Sequence, residues 1–335
     1  MKPVPLVQLW ALVPFLRFLR EIGAPVERWL EASRIHPDLL LTPSRVVPLA
    51  FATEFAERAA RAEGAETLGI DVGRRSAAED LGPWGRRLAA CPTLYERART
   101  SCERISEFNT GESIGLEVDG AWVRLRERVE GAHGPGWRHA QDFTLMLILE
   151  AVRRAAGDGW KPSAIFLPGP RRTRFERDEL FQEVKIVYES PELQVVFPAA
   201  LLARPVVGLP AARARQMPAA GATSAPAQDL VGSLEDSAMA LLPCGGASAH
   251  DLAEIAHTSV RSLQRRLREQ GTSLRSVLDH ARFRAAEQYL RDPAAEVTDI
   301  ALDLGYGDST AFARAFRRIA GVSPTTYRRA VGVGP

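Results

Sequence analysis

Apolar residues first recur at helical spacing. Leu49, Phe51, Phe55 and Ala59 mark one amphipathic helix, and Leu94, Ala98, Cys102 and Ile105 a second. The period then changes to two. Ile114-Gly-Leu-Glu-Val118 and Trp122-Val-Arg-Leu-Arg-Glu-Arg-Val129 alternate on either side of Asp119-Gly120, a dipeptide suited to a tight hairpin turn. A helix is predicted from His139 to Ala156, stopped by Gly157, and short strands at Ala164–Leu167, Val184–Tyr188 and Leu193–Phe197. After that the strand pattern disappears. From Asp229 onward every periodic segment is helical, the first being Asp229–Leu242, which Pro243 and Gly245-Gly246 stop.

Between these halves lies a stretch that sustains neither period. Ala203 to Gln228 carries Pro205, Pro210, Pro218 and Pro226 among Gly, Ala, Ser and Thr. Proline lacks a backbone donor and blocks helix continuation, so the segment reads as an extended, mobile linker. The expected organisation is an effector-sensing or dimerisation domain over 1–205, a Pro/Ala-rich linker over 206–228 and a DNA-binding domain over 229–335. The fold class is an α+β sensor domain followed by an all-α domain with two helix-turn-helix units joined by a linker helix.

The second half contains an internal repeat. Val260-Arg-Ser-Leu-Gln-Arg-Arg-Leu267 superposes on Ser309-Thr-Ala-Phe-Ala-Arg-Ala-Phe316 at an offset of 49 positions, with an apolar–x–Arg–x–apolar core in each. In the first copy Val260, Leu263 and Leu267 share one helical face, while Arg261, Gln264, Arg265 and Arg268 share another. In the second, Phe312, Phe316 and Ile319 point inward, and Thr310, Ala313, Arg314 and Arg317 form the outward stripe. Each copy follows a short helix and a tight turn. Ser248 with Asp251 forms a capping arrangement for the first short helix, and Ser259 caps the helix after it. Thr298 to Leu304 runs through Gly305 to a cap at Asp308-Ser309, in a turn about one residue longer than the first. Between the copies, a capped helix over Ser273–Leu290 spans about 27 Å at 1.5 Å per residue. That length suits two readers entering successive major-groove turns about 34 Å apart.

Composition alone does not reveal this. The net charge of the 335 residues is only +2, so the placement of the charges carries the signal. Lys2, Lys161 and Lys185 are the only lysines, a bias that fits GC-rich coding DNA better than selection for arginine at contacts. Cys91, Cys102 and Cys244 follow no metal or redox spacing, so no metal or cofactor is expected and a reducing cytoplasm fits. No run of about 18 apolar residues and no cleavable leader is evident, so the protein is expected to be soluble and away from membranes.

Arginine can donate two parallel hydrogen bonds to guanine, and glutamine can pair with adenine. Arg261, Gln264 and Arg265 are therefore the base-reading candidates of the first unit. Arg314 is the candidate of the second, with Ser309 and Thr310 near the helix start. Arg268, Arg317 and Arg318 lie further along and suit phosphate contacts. One amphipathic helix with an arginine stripe is usually a solvated face. Two matching copies, each behind a capped short helix, argue for DNA.

These residues carry a family resemblance. Ser259-Val-Arg-Ser-Leu-Gln-Arg-Arg-Leu267, Gly271-Thr-Ser-Leu274, Arg282-x-x-x-Ala286, Ile300-Ala301, Leu304-Gly305-Tyr306, Phe312-x-Arg-Ala-Phe316-Arg-Arg318 and Gly321-Val-Ser-Pro324-Thr-Thr-Tyr327-Arg328 resemble the AraC/XylS family of bacterial regulators over about 229–330. The resemblance implies two helices in successive major grooves, the first the more sequence-specific, with Arg261, Gln264 and Arg265 at the base-reading positions. Leu68-Gly-Ile-Asp-Val-Gly73, Leu81-Gly82, Pro92-Thr-Leu94, Arg138-His-Ala-Gln-Asp-Phe143 and Trp160-Lys-Pro-Ser-Ala-Ile-Phe-Leu-Pro168 resemble the long arabinose-binding-like sensor of one branch. The helical first hundred residues depart from a compact cupin barrel, which argues against arabinose itself.

The expectation is a ligand-responsive activator. Its partners would be double-stranded operator DNA, a small-molecule effector, a second copy of the chain and RNA polymerase. One alternative keeps DNA binding but gives the first half only dimerisation or a protein partner. Another is an enzyme fused to the DNA-binding module. It lacks support, because Cys91 and Cys102 read as packing residues and no GxSxG, HExxH or GxxxxGK[ST] occurs. Trp122, Trp137, Arg138, His139 and Asp142 are candidates for an effector pocket, against the commoner reading of a strand tryptophan as core. His133 to Gly136 reads as a connecting loop.

Overall fold

The structure, a computed structural model, describes residues 2–130, 136–172, 178–206 and 225–331. The expected linker lies mostly outside the described residues, as does His133 to Pro135.

The first half opens with β1 (Leu6–Gln8), which pairs antiparallel with β2 (Val46–Pro48). Between and after them run α1 (Val13–Glu21), α2 (Val26–Ala32), α3 (Leu49–Ala62), α4 (Leu68–Arg74), α5 (Gly82–Ala89) and α6 (Leu94–Arg104). The predicted stripe of α3 is buried at Phe51, Phe55 and Ala59. Thr93 starts α6 by accepting a hydrogen bond from the Glu96 amide at 3.2 Å.

A five-stranded sheet follows in the order β3-β4-β7-β5-β6. Its strands are β3 (Glu112–Asp119), β4 (Trp122–Val129), β5 (Ala164–Phe166), β6 (Lys185–Val187) and β7 (Leu193–Pro198). The β5–β6 pair is parallel and the other pairs are antiparallel. The hairpin closes one residue later than its sequence suggests. Asp119 pairs with Trp122, which leaves Gly120-Ala121 as the loop with Gly120 at φ +57°.

Helix α7 (Trp137–Ala156) runs between the helical layer and the sheet. Phe143 meets Phe15 of α1 with ring centroids 5.1 Å apart, whereas Leu145, Leu149 and Val152 join Val123, Val195 and Phe197 of the sheet. Two glycines set its distance from α4. A Cβ at Gly69 would lie 2.2 Å from the His139 carbonyl oxygen, and one at Gly73 would lie 2.4 Å from Met146 Cβ. The Leu68–Gly73 motif is therefore a packing seam that larger residues would force open.

The second half is helical throughout its described residues. It comprises α8 (Leu230–Leu241), α9 (Ala249–Ile255), α10 (Val260–Glu269), α11 (Leu274–Tyr289), α12 (Val297–Asp303), α13 (Ser309–Ala320) and α14 (Pro324–Ala330). Helix α8 is capped by Asp229 and packs against both β2 and α11, so it bridges the two halves. The Val4 amide donates to Ser233 Oγ at 3.0 Å, and Gln228 Nε2 donates to Ser106 Oγ at 3.2 Å. Arg34 reaches across to Glu254 at 3.1 Å. One apolar cluster runs from Val7 and Val47 through Leu234 and Leu241 to Leu263 and Leu267 of α10. A separate cluster, built around Leu290, Ile300, Leu304, Phe312 and Phe316, holds α12 and α13.

Candidate nucleic-acid interface and effector cavity

Each helix-turn-helix starts from a cap. Ser248 Oγ accepts from the Asp251 amide at 3.1 Å while Asp251 Oδ2 accepts from the Ser248 amide at 2.9 Å, a complete capping box for α9. The Ser248 hydroxyl also donates to Asp251 Oδ2, and this bond, with the Ser248 amide and Arg34 nearby, holds the Asp251 carboxyl below its usual range. The turn over 256–259 places His257 at φ +50°, and Ser259 Oγ then accepts from the Ser262 amide to begin α10. In the second unit the turn covers 304–308, one residue more, with Gly305 at φ +78°. Asp308 caps α13 by accepting from the Ala311 amide at 2.6 Å, so Ser309 is the first helical residue.

The repeat resolves into two outward faces. On α10, Leu263 and Leu267 are fully buried, Arg261, Arg265 and Arg268 are exposed, and Gln264 is half-buried. Arg265 lies 3.8 Å from Glu269, a pair exposed enough to yield readily to a base. Arg261 and Arg268 have no acidic partner within 4 Å among the described residues. On α13, Thr310, Arg314 and Arg317 are exposed, and Ser309 and Ala313 are half-buried beside the buried Phe312 and Phe316. Arg318 is turned away from this stripe. Its guanidinium donates to Asp279 of α11 at 2.6 Å, which ties the second reading helix to the helix between the units. The 16 residues of α11, started by Ser273, span about 24 Å. Tyr327 of α14 packs against Phe316 at 5.4 Å, and its hydroxyl donates to Glu287, which raises the phenol above its usual pKa.

The first half holds a cavity of about 150 Å³ between its helical layer and the sheet. Of the candidate pocket residues, only Trp137 lines it. Trp122 sits at the hairpin tip and is 47% exposed, which corrects the expectation of a core tryptophan; the strand's inward phase belongs to Val123 and Leu125. The His139 ring lies 3.6 Å from Glu57 of α3, with burial lowering its pKa, while its backbone carbonyl faces the α4 seam. Asp142 accepts from Arg172 at 2.7 Å, and burial raises its pKa. Arg138 does not line the cavity either.

Three charged lining residues, Arg97, Glu112 and Glu127, escaped the sequence reading, and two of them leave a trace in it. Glu127 occupies the apolar phase of β4, in step with Val123 and Leu125, and is 1% exposed. Arg97 lies one turn after Leu94 on the buried side of α6. A charge in an apolar phase is the sequence signal in both cases. Among the described residues no cluster of His, Cys, Asp and Glu could hold a metal, and no helix is long and apolar enough to cross a membrane.

Comparison with known proteins assigns the sequence to a family. Residues 23–206 match the model described as the arabinose-binding domain of AraC transcription regulators, N-terminal, and residues 252–330 match a helix-turn-helix domain. The chain belongs to the AraC family of transcription regulators. As a member it is a DNA-binding transcription regulator with a sensor-type first half. The ornithine utilization regulator of Pseudomonas aeruginosa is 24% identical over 318 residues, covering 94% of both chains. The regulator VirS of Mycobacterium tuberculosis is 37% identical over 93 residues, which are 28% of this chain and 27% of its own. The crystal structure of transcriptional regulator CdpR from Pseudomonas aeruginosa aligns over 91% of this chain and 96% of its own, at 21% identity and TM-score 0.39.

Proposed function

We propose that this AraC-type regulator responds to a small molecule held in the cavity of its first half and passes that event to its first helix-turn-helix. The observation that carries the reading is the unbroken apolar cluster between them. Val7 of β1 lines the cavity and pairs with Val47 of β2; α8 lies on β2; the same cluster ends at Leu263 and Leu267 beneath the first reading face. An effector can shift DNA affinity only if it favours one arrangement of this stack over another, and packed interfaces of this kind tend to have discrete arrangements.

On DNA, Arg261, Gln264 and Arg265 read base edges in one major groove. Arg314, Ser309 and Thr310 approach a second groove, and Arg268 and Arg317 contact phosphates. Arg318, engaged by Asp279, serves mainly to hold α13 to α11. The division of labour is a sensor over 1–205, a linker over 206–228 and a DNA-binding part over 229–335. The assembly is a cytoplasmic homodimer that contacts RNA polymerase to activate transcription, with no catalytic role of its own. The half-buried Cys91 and Cys102 and the exposed Cys244 are free thiols, and burial raises the pKa of Cys102 and Cys244, which is the opposite of nucleophile activation.

The test is Arg265→Ala in operator and random-DNA binding at one salt concentration. It is expected to weaken operator binding by about 1–3 kcal/mol with little effect on random DNA. Equal loss on both would remove the base-reading role. The alternative, a first half that only dimerises, leaves a charged cavity without a purpose, so we favour the effector.

A further inference from the structure

We propose that the cavity in the first half takes a small cationic amine with an apolar, ring-sized body, its ammonium group held by Glu127 and Glu112 among aromatic walls. The inference rests on the reading of this cavity as the effector site and goes further, to the chemistry of the ligand.

Glu127 is the first reason. It stands in β4 opposite Ile114 of β3 and Leu193 of β7, on the buried face of the sheet, and neither carboxylate oxygen has a hydrogen-bond partner. A carboxyl group held this way is disfavoured as an anion and is retained where something else supplies its partner. Its charged neighbours make matters worse. Glu112 and Glu192 both raise its pKa further beyond what burial does. Glu192 is matched on the outer side by Arg128 at 3.0 Å and Arg126 at 3.7 Å. Glu112 receives only Asn109 Nδ2 at 3.1 Å and is pushed by burial up to about 7.

The second reason is the charge balance of the cavity wall. Its titratable lining residues are Arg97, Glu112 and Glu127. Arg97 is buried with Nη1 unpartnered, but its charge faces Glu150 at 3.8 Å and feels Glu79 as well. The acidic groups left without a counter-charge are therefore the two sheet carboxyls, which burial holds toward the protonated form until a cation arrives. An ammonium group would supply up to three donors and the missing positive charge together.

The third reason is the aromatic part of the lining. Phe15, Trp84, Phe108, Trp137 and Phe143 line the space, with Trp84 and Phe108 stacked 4.8 Å apart. Aromatic faces attract a desolvated cation and also receive an apolar ring. A volume of about 150 Å³ fits a benzene-sized body with a short arm.

The amine arrives protonated, so its binding favours ionised Glu127 and Glu112 and releases protons to the solvent. The test uses the full chain with three probes of nearly the same shape: benzylamine, benzyl alcohol and benzoate. Calorimetry in two buffers of different ionisation enthalpy should show benzylamine binding at least tenfold tighter than benzyl alcohol near pH 6.5, with proton release, and benzoate not binding. Glu127→Gln should weaken benzylamine at least tenfold and reduce its proton release, while leaving benzyl alcohol unchanged. Glu127→Leu, which removes an unpartnered buried carboxyl, should keep or raise the melting temperature and show that the fold survives. Benzoate binding as well as benzylamine, benzylamine binding equally to the wild type and Glu127→Gln, or no probe binding at all would each overturn the inference. Operator affinity separates it from the reading beneath. If benzoate shifts operator binding, or benzyl alcohol does so at concentrations as low as benzylamine, the effector site stands and the amine falls. If benzylamine binds through Glu127 and operator affinity stays fixed, the amine stands and the effector role falls.

Discussion

The two helix-turn-helix units share a spacing and differ in what they rest on. The first, α9 and α10, has a light aliphatic core of Leu252, Ile255, Leu263 and Leu267 that is continuous with the first half of the molecule. The second, α12 and α13, closes on a chain of rings. Tyr306 meets Phe312 at 5.5 Å, Phe312 meets Phe316 at 5.8 Å, and Phe316 meets Phe283 at 4.9 Å and Tyr327 at 5.4 Å. Their outward faces differ in the opposite sense. The first offers Arg261, Gln264 and Arg265, whereas the second places Ala313 beside Arg314. The unit whose outward face carries more arginine and glutamine is the one joined to the first half, and the unit closed by rings has the plainer face. If the first face reads sequence, as proposed, a signal from the first half would act on discrimination, while the second unit keeps its shape.

The largest effect should come from breaking the second core. Phe316→Ala removes a fully buried ring and is expected to cost about 3–5 kcal/mol, as ring deletions in cores do. Amide hydrogen exchange should lose protection over α12, α13 and α14 while α8 and β2 keep theirs. Leu263→Ala, at about 2–5 kcal/mol, should instead spread its loss into α8 and β2. Exchange confined to the first unit in Leu263→Ala would show that the cores are separate after all.

Next in size is the bond that seats α8. Ser233 is fully buried, its hydroxyl accepts from the Val4 amide, and it donates to the Leu230 carbonyl at 2.9 Å. Ser233→Ala leaves the Val4 donor buried without a partner, a loss of about 1–3 kcal/mol in denaturant unfolding. The loss should appear in the transition of the first half together with the first unit. If only the second unit's transition moves, the bridge through α8 is the wrong route.

A smaller effect sharpens the difference in reading faces. Arg314→Ala, on the plainer face, is expected to cost affinity more than selectivity, lowering operator binding by about 1 kcal/mol and random-DNA binding nearly as much, with the salt slope reduced by about 1. A far greater loss on operator than on random DNA would make the second unit a reader equal to the first.

How much of this was legible in the sequence follows from the range of each interaction. The caps at Ser248, Ser259, Ser273 and Asp308, the extra residue in the second turn and the β3–β4 hairpin are settled by residues within a few positions of one another, and all appear in the structure. The β1–β2 pair joins Leu6 to Pro48 through strands of three residues, too short for any period to show. The seat of α8 on β2 is equally non-local, and a mostly apolar helix does not announce which neighbour it meets. Trp122 misled because a hairpin tip exposes whatever it carries. Glu127 is the instructive case. Its phase in β4 was readable, but its lack of a partner arises only when Ile114 and Leu193 close around it.

The smallest expected effect probes the join at its rim. Arg34, at φ +60°, sends its guanidinium to Glu254 at 3.1 Å and Asp251 at 3.8 Å, beside the first turn of the first unit. The side chain is partly exposed, so the pairs contribute little to stability, about 0.5 kcal/mol at low salt and less as salt rises. Arg34→Ala should therefore leave the melting temperature almost unchanged. Its use is as a coupling probe, because Glu254 and Asp251 lie on α9 whereas Arg34 lies beside α2 in the first half. If the first unit is biased through this face, the variant should change how far an effector shifts operator affinity without altering the affinity of the second unit's contacts. An effector response identical to that of the wild type would confine the coupling to the apolar stack of β2 and α8, where Ser233→Ala has already placed its larger test.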